Sequence, residues 1–481
     1  MGEKASTLFP ITFNKSLVVD TREEKLSSDG GAVILREIDQ RLQITQNLVD
    51  NLRDPRDPNT TVHPLIELLR TRLYLIAQGW KDADDADKLR NDPAVLTAVS
   101  SRKGQSPLKP ETAPENTSEN TPHGLASQPT LSRLLEILAN PQNRKALHKS
   151  LLKAAQASIR ARRRHPYQHV TIDVDSFPVQ VYGHQDGSAY NGYYQYNCYH
   201  ILVATLAETG DILDIQLREG NVSSARDLDG FLFPLIKEVE GTLGLAVSVR
   251  GDAAMPSEVI LSKLEERPAG YCFRVKSNAV LERLAKPYLD NLPPHQSESQ
   301  REWTAELTYQ AESWSHPRRI VMVVVEQKQI DLFEPFNHFF LVTDWTKEQM
   351  SAANLLDYYR QRGTMERWIG EFKDVLQPSL SCASRPRKNG KRITSRDDFA
   401  CNEALLLLYA LSYNLLNTAR RLMEKATGEG WSLRRVREQV LKAAVHFTLH
   451  ARRIWAWVAK PAARLWTLLG RPIVRLHPLL R

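Results

Sequence analysis

The sequence predicts an α/β protein whose central sheet is interrupted by a second β-rich segment and flanked at both ends by helical regions. Three observations carry that expectation. Both ends place apolar residues at helical spacing, as in Ile34, Leu35, Ile38 and Leu42 or Leu65, Leu68, Leu69 and Leu73. The middle alternates apolar and polar residues with period two, as in His169-Val-Thr-Ile-Asp-Val-Asp175. A stretch from Arg102 to Gly124, rich in Ser, Thr, Pro, Asn and Glu, separates helical segments and reads as a linker.

Taken in order, residues 1–100 form a helical region and 101–124 the linker. Helices resume at Pro129-Thr-Leu-Ser-Arg-Leu-Leu135 and continue through a connector, 125–167. The strand at 169–175 opens the sheet. Tyr193 to Leu206 and Ile212 to Leu217 follow as a hairpin, with Glu208-Thr-Gly-Asp211 at the turn. A helix near Ser224 to Gly241 leads to the apolar strand Leu245-Ala-Val-Ser-Val-Arg250. Pro256 to Glu266 is helical, and Tyr271 to Lys276 is a further strand. The order β-β-β-α-β-α-β over 168–277 is that of a ribonuclease H-like core, and the segment lengths allow the crossovers that parallel strands need. Residues 278–346 break it with three more strands, Trp303 to Gln310, Ile320 to Glu326 and Phe339 to Thr343, a β-strand insertion. The core resumes over 347–425, and 426–481 is helical and basic.

The chain's 481 residues suffice for roughly two to four domains, and 42% hydrophobic with 25% charged residues is ordinary for a soluble protein. Net charge is +8, but its placement says more. From Trp431 to Arg481 eleven Lys and Arg stand against the single acid Glu438. Other basic runs are Arg160 to Arg164 and Arg385 to Arg396, and such clusters suit a phosphate backbone. Four scattered cysteines form no zinc or disulfide pattern and suggest a reducing compartment. The N-terminus shows no signal-peptide pattern, and the apolar run Ala404 to Leu416 is too short to span a bilayer and reads as a core helix.

The chemistry concentrates in a few residues. Asp173 and Asp175, two apart on a strand, share a face. Asp252 lies just past the end of another strand, where ligands collect in open sheets. Between Asp357 and Lys373, helical spacing returns Tyr359, Arg362, Glu366 and Lys373 to one face. Convergent carboxylates from these elements make an oxygen-rich site for hard cations such as Mg²⁺, and a pair of such ions can clamp an in-line phosphoryl displacement. Taken singly, each acid has a plainer reading: Asp252 as a helix N-cap, Asp173 or Asp175 as an ion-pair partner, Glu366 as an i,i+4 partner of Arg362. Asp82, Asp84, Asp85 and Asp87 imitate a calcium loop but lack its glycine and terminal glutamate, so they read as a solvated turn. Trp455, Trp457 and Trp466 could stack on bases, but a helix packing its aromatic face on the protein is favoured.

The Tyr-x2-Arg-x3-Glu-x6-Lys set resembles the pattern around the last carboxylate of DDE transposases encoded by bacterial insertion sequences. Further motifs resemble the IS thirteen-eighty-like branch: Gly30-Gly31, Asp54-Pro-Arg-Asp-Pro58, Trp80 to Arg90, Leu125 to Arg133, Asp173-Val-Asp175, Gly183 and Gln185, Asn191-Gly-Tyr-Tyr194 and Arg250-Gly-Asp252. The resemblance covers nearly the whole chain. It implies a cut-and-paste DNA transposase in the bacterial nucleoid, with Asp175, Asp252 and Glu366 as catalytic triad and ligands, Asp173 as a further ligand, and two Mg²⁺ that Mn²⁺ can replace. It implies terminal inverted repeats and target DNA as partners, a homodimer on paired ends, and no membrane. Tyr359, Arg362 and Lys373 would hold DNA phosphates, Arg385, Lys388 and Arg392 would grip backbone, and Trp303 or Trp314 would take a flipped base unless each belongs to the insertion's own core. One departure stands out: the resembled family usually has Thr where this chain has Phe177, which leaves Asp173 as the alternative to Asp175 for the first catalytic carboxylate. Two rivals remain, a metal-dependent nuclease of the same fold without strand transfer, and a decayed or domesticated DNA-binding protein.

Overall fold

A computed structural model describes residues 24–108, 124–160, 169–293, 301–326, 336–382 and 397–476, with Phe13 and Val19. Most of the linker expected at 101–124, and the arginines at 162–164, lie outside the described residues. A short strand β1 (Lys25–Ser27) precedes helices α1 (Ala32–Leu42), α2 (Ile44–Val49), α3 (Leu65–Gln78), α4 (Asp85–Lys88), α5 (Pro93–Val99), α6 (Gln128–Leu138) and α7 (Pro141–Arg160). The middle holds β2 (His169–Gln180), β3 (Ala189–Asn191), β4 (Tyr196–Leu206), β5 (Ile212–Gln216), α8 (Leu228–Leu243), β6 (Ala246–Gly251), α9 (Glu258–Glu265), β7 (Tyr271–Val275) and α10 (Ala279–Leu289). Then come β8 (Glu302–Tyr309), β9 (Arg318–Glu326), β10 (Phe336–Thr343), α11 (Ala352–Arg360), α12 (Arg362–Glu371) and a π-helical turn, Phe372–Leu376. The chain closes with α13 (Asp398–Thr427), α14 (Leu433–Val436), β11 (Val445–His450), β12 (Arg453–Val458) and α15 (Lys460–Val474).

Nine strands form one mixed sheet in the order β3-β4-β2-β6-β7-β10-β9-β8, with β5 also paired to β4. β2 runs antiparallel to β4 and parallel to β6, and β6 runs parallel to β7. The β-rich insertion is not a separate module. Its last strand, β10, pairs antiparallel with β7 from Phe340↔Val275 to Thr343↔Cys272 and so extends the same sheet. The physical reason is the edge: without β10, the outer amides and carbonyls of β7 would be left as an open pairing template.

Helices cover both faces. On one face Val170, Ile172, Val174, Val247 and Val249 pack under α8, α9 and α10. On the other, Phe177, Val179, Tyr199, Ile201 and Val203 meet α12, α13 and the N-terminal helices. Helix α13 is long and apolar enough to cross a membrane by composition, but 94% of that apolar window is buried inside this core. Its polar residues are assigned to the sheet edge. Asn414 accepts from the Ile212 amide and donates to the Ile212 carbonyl, both at 2.8 Å, and Asn417 donates to Asp211 at 2.8 Å. The backbone at the start of edge strand β5 is thus satisfied by side chains rather than by another strand.

The C-terminal region differs from the helical expectation. β11 and β12 form a hairpin that joins β1 in a three-stranded sheet. The reason is a period of two: Val445, Phe447 and Leu449 face inward with Ile454 and Val458, while Trp455 and Trp457 stack on each other outside, ring centres 5.7 Å apart. Trp466 is half-buried on α15 and donates to the Val440 carbonyl at 3.0 Å. The N- and C-terminal segments form one body, since the amides of Gly30 and Gly31 donate to the carbonyls of Ala443 and Leu441. The acidic run at 82–87 is a turn entering α4, with Asp85 accepting from the Asp82 amide and pairing with Lys88.

One charged contact ties three layers. His148 on α7 bonds Asp214 on β5 at 2.6 Å and lies 3.6 Å from Glu403 on α13, which also pairs with Arg144. Burial opposes the imidazolium charge, but Asp214 and Glu403 outweigh it and hold the His148 pKa at about 10, above the usual 6.5. A pKa raised on folding stabilises the native state fully below pH 6.5, and that contribution is lost as pH rises through about 10. His148→Gln should therefore cost about 1.5–3 kcal/mol near pH 6 and much less near pH 10. Thermal unfolding of both proteins across that range measures it; a constant difference would show that His148 carries no charge in the fold.

Candidate active site

The alternation of β2 puts Asp173, Asp175 and Phe177 on one face, and three different neighbours receive them. Asp173 is buried and forms a two-pronged ion pair with Arg250, Nε–Oδ1 2.6 Å and Nη2–Oδ2 2.8 Å. The two residues are direct neighbours across the parallel β2–β6 pair. Arg250 also donates to the Tyr358 carbonyl at the end of α11, and its guanidinium lies over the Tyr358 ring at 4.8 Å. Both carboxylate oxygens of Asp173 are thus engaged by one guanidinium, which leaves it a buried structural anion rather than an open ligand.

Asp175 lies one rung further, towards α12. Its Oδ1 accepts from the Ser176 amide at 2.7 Å, and its Oδ2 pairs with Arg362 Nη2 at 2.5 Å. The other guanidinium nitrogen, Nη1, pairs with Glu366 at 2.5 Å. Arg362 is buried and its Nε has no partner among the described residues. Glu366 is 61% exposed, facing solvent on the outer side of α12. Asp252 follows the last residue of β6, and its Oδ1 accepts from the Ala254 amide at 3.0 Å. It does not cap the next helix; Ser257 does. Asp252 and Glu366 are near enough for their charges to act on Asp175. Burial pushes the Asp175 carboxyl up to about 6, Arg362 pulls it down, and Asp252 and Glu366 push it up again.

The structure therefore brings Asp175, Glu366 and Arg362 into contact, with Asp252 beside them. Among the described residues no group of three or more His, Cys, Asp or Glu stands close enough to hold a metal ion, because Arg362 occupies the space between Asp175 and Glu366. By donor type alone, the three carboxylates from β2, β6 and α12 are the hard oxygen ligands that a divalent cation takes, but as they stand they are not gathered around one point.

The single helix expected from Asp357 to Lys373 is three pieces. It breaks at Gln361, one turn after the Tyr358 carbonyl that Arg250 engages, and ends in the π-helical turn. Tyr359 ends up on α11, half-buried, with burial raising its hydroxyl to about 12 beside Arg362 and Asp252. Lys373 is exposed on the π-helical turn. Glu371 points elsewhere, accepting from the Leu433 amide. Trp314 is buried in the insertion against Tyr309, under Arg318. Trp303 is half-buried beside Phe336, under Arg301. Arg385, Lys388 and Arg392 lie outside the described residues.

Packing fixes the opposite side of α12. Phe177 is buried edge-on against Phe372, ring centres 5.9 Å apart. Gly210, at φ +75° in the β4–β5 turn, lets the backbone approach Trp368; a Cβ there would stand 2.7 Å from its ring. Phe177 is thus part of the helix's seat. The role of Arg250 was missed from sequence; the available signal was a charged residue in the otherwise apolar run from Leu245. Arg250→Met should cost about 3–5 kcal/mol in urea unfolding, because the Asp173 carboxylate is left buried alone; a loss below about 1 kcal/mol would mean that water reaches it. Phe177→Thr should cost about 3–5 kcal/mol by thermal unfolding, and a variant as stable as the wild type would remove Phe177 from the helix seat.

A family model described as transposase DDE domain group 1 matches residues 9–469. No curated protein matches the chain. Among solved structures, a cryo-EM structure of piggyBac transposase in a synaptic complex with hairpin DNA is similar at 12% identity, covering 93% of this chain and 80% of that one; its TM-score of 0.38 is too low to carry an argument about fold. The family match spans nearly the whole sequence, including all three carboxylates: the chain belongs to the transposase DDE domain group 1 family and is a DNA transposase.

Proposed function

We propose that this enzyme moves a bacterial insertion sequence of the IS thirteen-eighty-like branch by cut-and-paste transposition. The proposal rests most on one observation: acids from a strand and a helix meet on a single buried arginine, with the strand-end acid Asp252 near enough for its charge to act on Asp175. In this reading the sheet β5-β4-β2-β6-β7 with its helices is a ribonuclease H-like core. Water cuts a phosphodiester at the element's end, and the freed 3′-hydroxyl then attacks target DNA.

Asp175, Asp252 and Glu366 would hold Mg²⁺, which lowers the pKa of an attacking water or hydroxyl and steadies the leaving oxygen. The chain's own residues do the positioning. Arg362 offsets Asp175 and Glu366 in the free protein, and its planar fork suits a DNA phosphate equally well. Tyr359 stands beside it with a hydroxyl that stays protonated, a donor to a phosphate oxygen. Lys373 adds a solvent-facing charge on the π-helical turn that continues α12. The basic residues of 431–481 supply further backbone contacts, and pairing of two element ends implies a dimer.

The test is Mg²⁺-dependent cleavage of DNA carrying the flanking element's own ends. Glu366→Gln should cut roughly a hundred-fold more slowly or worse while binding the same DNA as the wild type. Cleavage unaffected by Glu366→Gln would remove Glu366 from the triad. Binding without cleavage by the wild type would favour a DNA-binding protein that has lost its chemistry. Nicking without joining to target would favour a nuclease.

A further inference from the structure

Strand β12 presents an open edge. It is the outer strand of the β1-β11-β12 sheet and pairs on one side alone, with β11. The phase of that pairing shows which backbone groups it leaves over. The Ala459 amide donates to the Ala444 carbonyl across the pair at 2.9 Å. Backbone groups along a strand point alternately to its two sides, so those of Trp457, Trp455 and Arg453 also turn towards β11. The amides and carbonyls of Ile454, Ala456 and Val458 therefore point outward, and among the described residues they have no partner.

Edges of this kind are ordinarily blunted by charge, proline, a bulge or a cover. The outer strand β8 of the large sheet follows that rule, with Glu302 and Glu306 along it. β12 does not: from Ile454 to Val458 it reads Ile-Trp-Ala-Trp-Val, with no charge, proline or bulge. Its solvent face is also apolar. Trp455 is 45% exposed and Trp457 57%, and Leu26, at 56%, stands in the same row through His446. A contiguous apolar face beside an unpaired edge marks a contact between proteins.

The strand's own pattern points to its partner. In either direction from Ala456 the next residue is a tryptophan and the one after it a β-branched aliphatic. A second copy turned about a two-fold axis at Ala456 runs antiparallel to the first. It sets Ala456 against itself, Trp455 against Trp457 and Ile454 against Val458, each pair on one face. The residues with free backbone groups are the ones that hydrogen-bond in this register, so side-chain pattern and backbone phase agree on the same axis. Trp455 and Trp457 fall at the non-hydrogen-bonded positions, where cross-strand side chains stand closest. An axis two residues earlier would set Arg453 against Trp455, and one two residues later would run into α15 at Lys460.

We infer that two copies of this chain join through β12, antiparallel and centred on Ala456, into one sheet with a continuous row of tryptophans on its outer face. This contact needs no DNA and is independent of the dimer that paired element ends imply. Its ends carry like charges, since Arg452 of one copy falls opposite Lys460 of the other. Association therefore tightens as salt rises, the reverse of a contact with phosphates.

Sedimentation of the full-length protein without DNA, at roughly 1–100 μM, tests it. The wild type should pass from monomer to dimer over that range, and at lower concentration in higher salt. Ala456→Pro removes an outward amide and no hydrogen bond within the chain, so it should stay monomeric with thermal unfolding unchanged. Trp455→Lys alters only an exposed side chain and should weaken association roughly ten-fold; it keeps the test decisive if the proline variant unfolds. The four native cysteines are buried, so a short bis-maleimide should link Ala456→Cys into a dimer and leave the wild type unlinked. A wild type that stays monomeric at every concentration and salt overturns the inference. So does a dimer that Ala456→Pro and Trp455→Lys both leave intact. Weaker DNA binding by these variants with a monomeric wild type would overturn it too, and assign the edge to nucleic acid.

Discussion

Arg250 is the constraint on which the site's geometry depends. Its guanidinium holds Asp173 on β2 and the end of α11 through the Tyr358 carbonyl, while its own backbone sits on β6. These are the three elements that lead to the three acids. Asp175 lies two residues past Asp173, Asp252 two past Arg250, and Glu366 follows on the helix after the Gln361 break. Because strand side chains return to the same face every second residue, fixing one rung of the sheet fixes the next. A buried ion pair is a poor source of net stability, since desolvating two charges offsets most of their attraction. What it supplies is register: a slip of β2 against β6 would bury two opposite charges apart from one another.

Arg362 repeats that arrangement one rung nearer solvent, with a different consequence. It too joins β2 to the helix, but one of its partners, Glu366, is open to water. An exposed pair gains little from its contact and is readily exchanged. The inner arginine therefore locks both of its partners, whereas the outer one holds Asp175 in a largely buried pair and Glu366 in an exchangeable one. The helix keeps its place meanwhile through Met365, Trp368 and Phe372, which are buried against the sheet and α13. Phe177, where the resemblance leads one to expect Thr, belongs to that apolar seat.

How far the sequence foretold this depends on the range of the interactions involved. The alternation in β2, the hairpin with Gly210 at its turn and the apolar run of β6 are local patterns, and each appears where the periodicity places it. The pairing of β10 with β7 is not local: it joins strands more than sixty residues apart in the chain, and nothing in either strand names its partner. Asp173 and Asp175 look alike in sequence, because the difference between them is made by Arg250 and Arg362, one from another strand and one from a helix. The break at Gln361 was hidden for the same reason, since its neighbour at Tyr358 is a guanidinium from β6. The β11–β12 hairpin is a different failure. Its period of two was legible in Phe447, Leu449, Trp455 and Trp457, but the density of arginine and tryptophan drew attention to composition instead of spacing.

The closure of β7 by β10 also bears on how this chain behaves before it is finished. The three rungs of the β6–β7 pair end at Gly251, next to Asp252, and β7 has no partner on its other side until the insertion has folded back. During that interval β7 offers a row of free amides and carbonyls. A neighbouring nascent chain carries the same row, and strand edges of this kind join readily to one another. The insertion thus has a duty unrelated to chemistry: it keeps newly made copies from pairing edge to edge, and a chain shortened by its removal would be expected to aggregate rather than to yield a smaller enzyme.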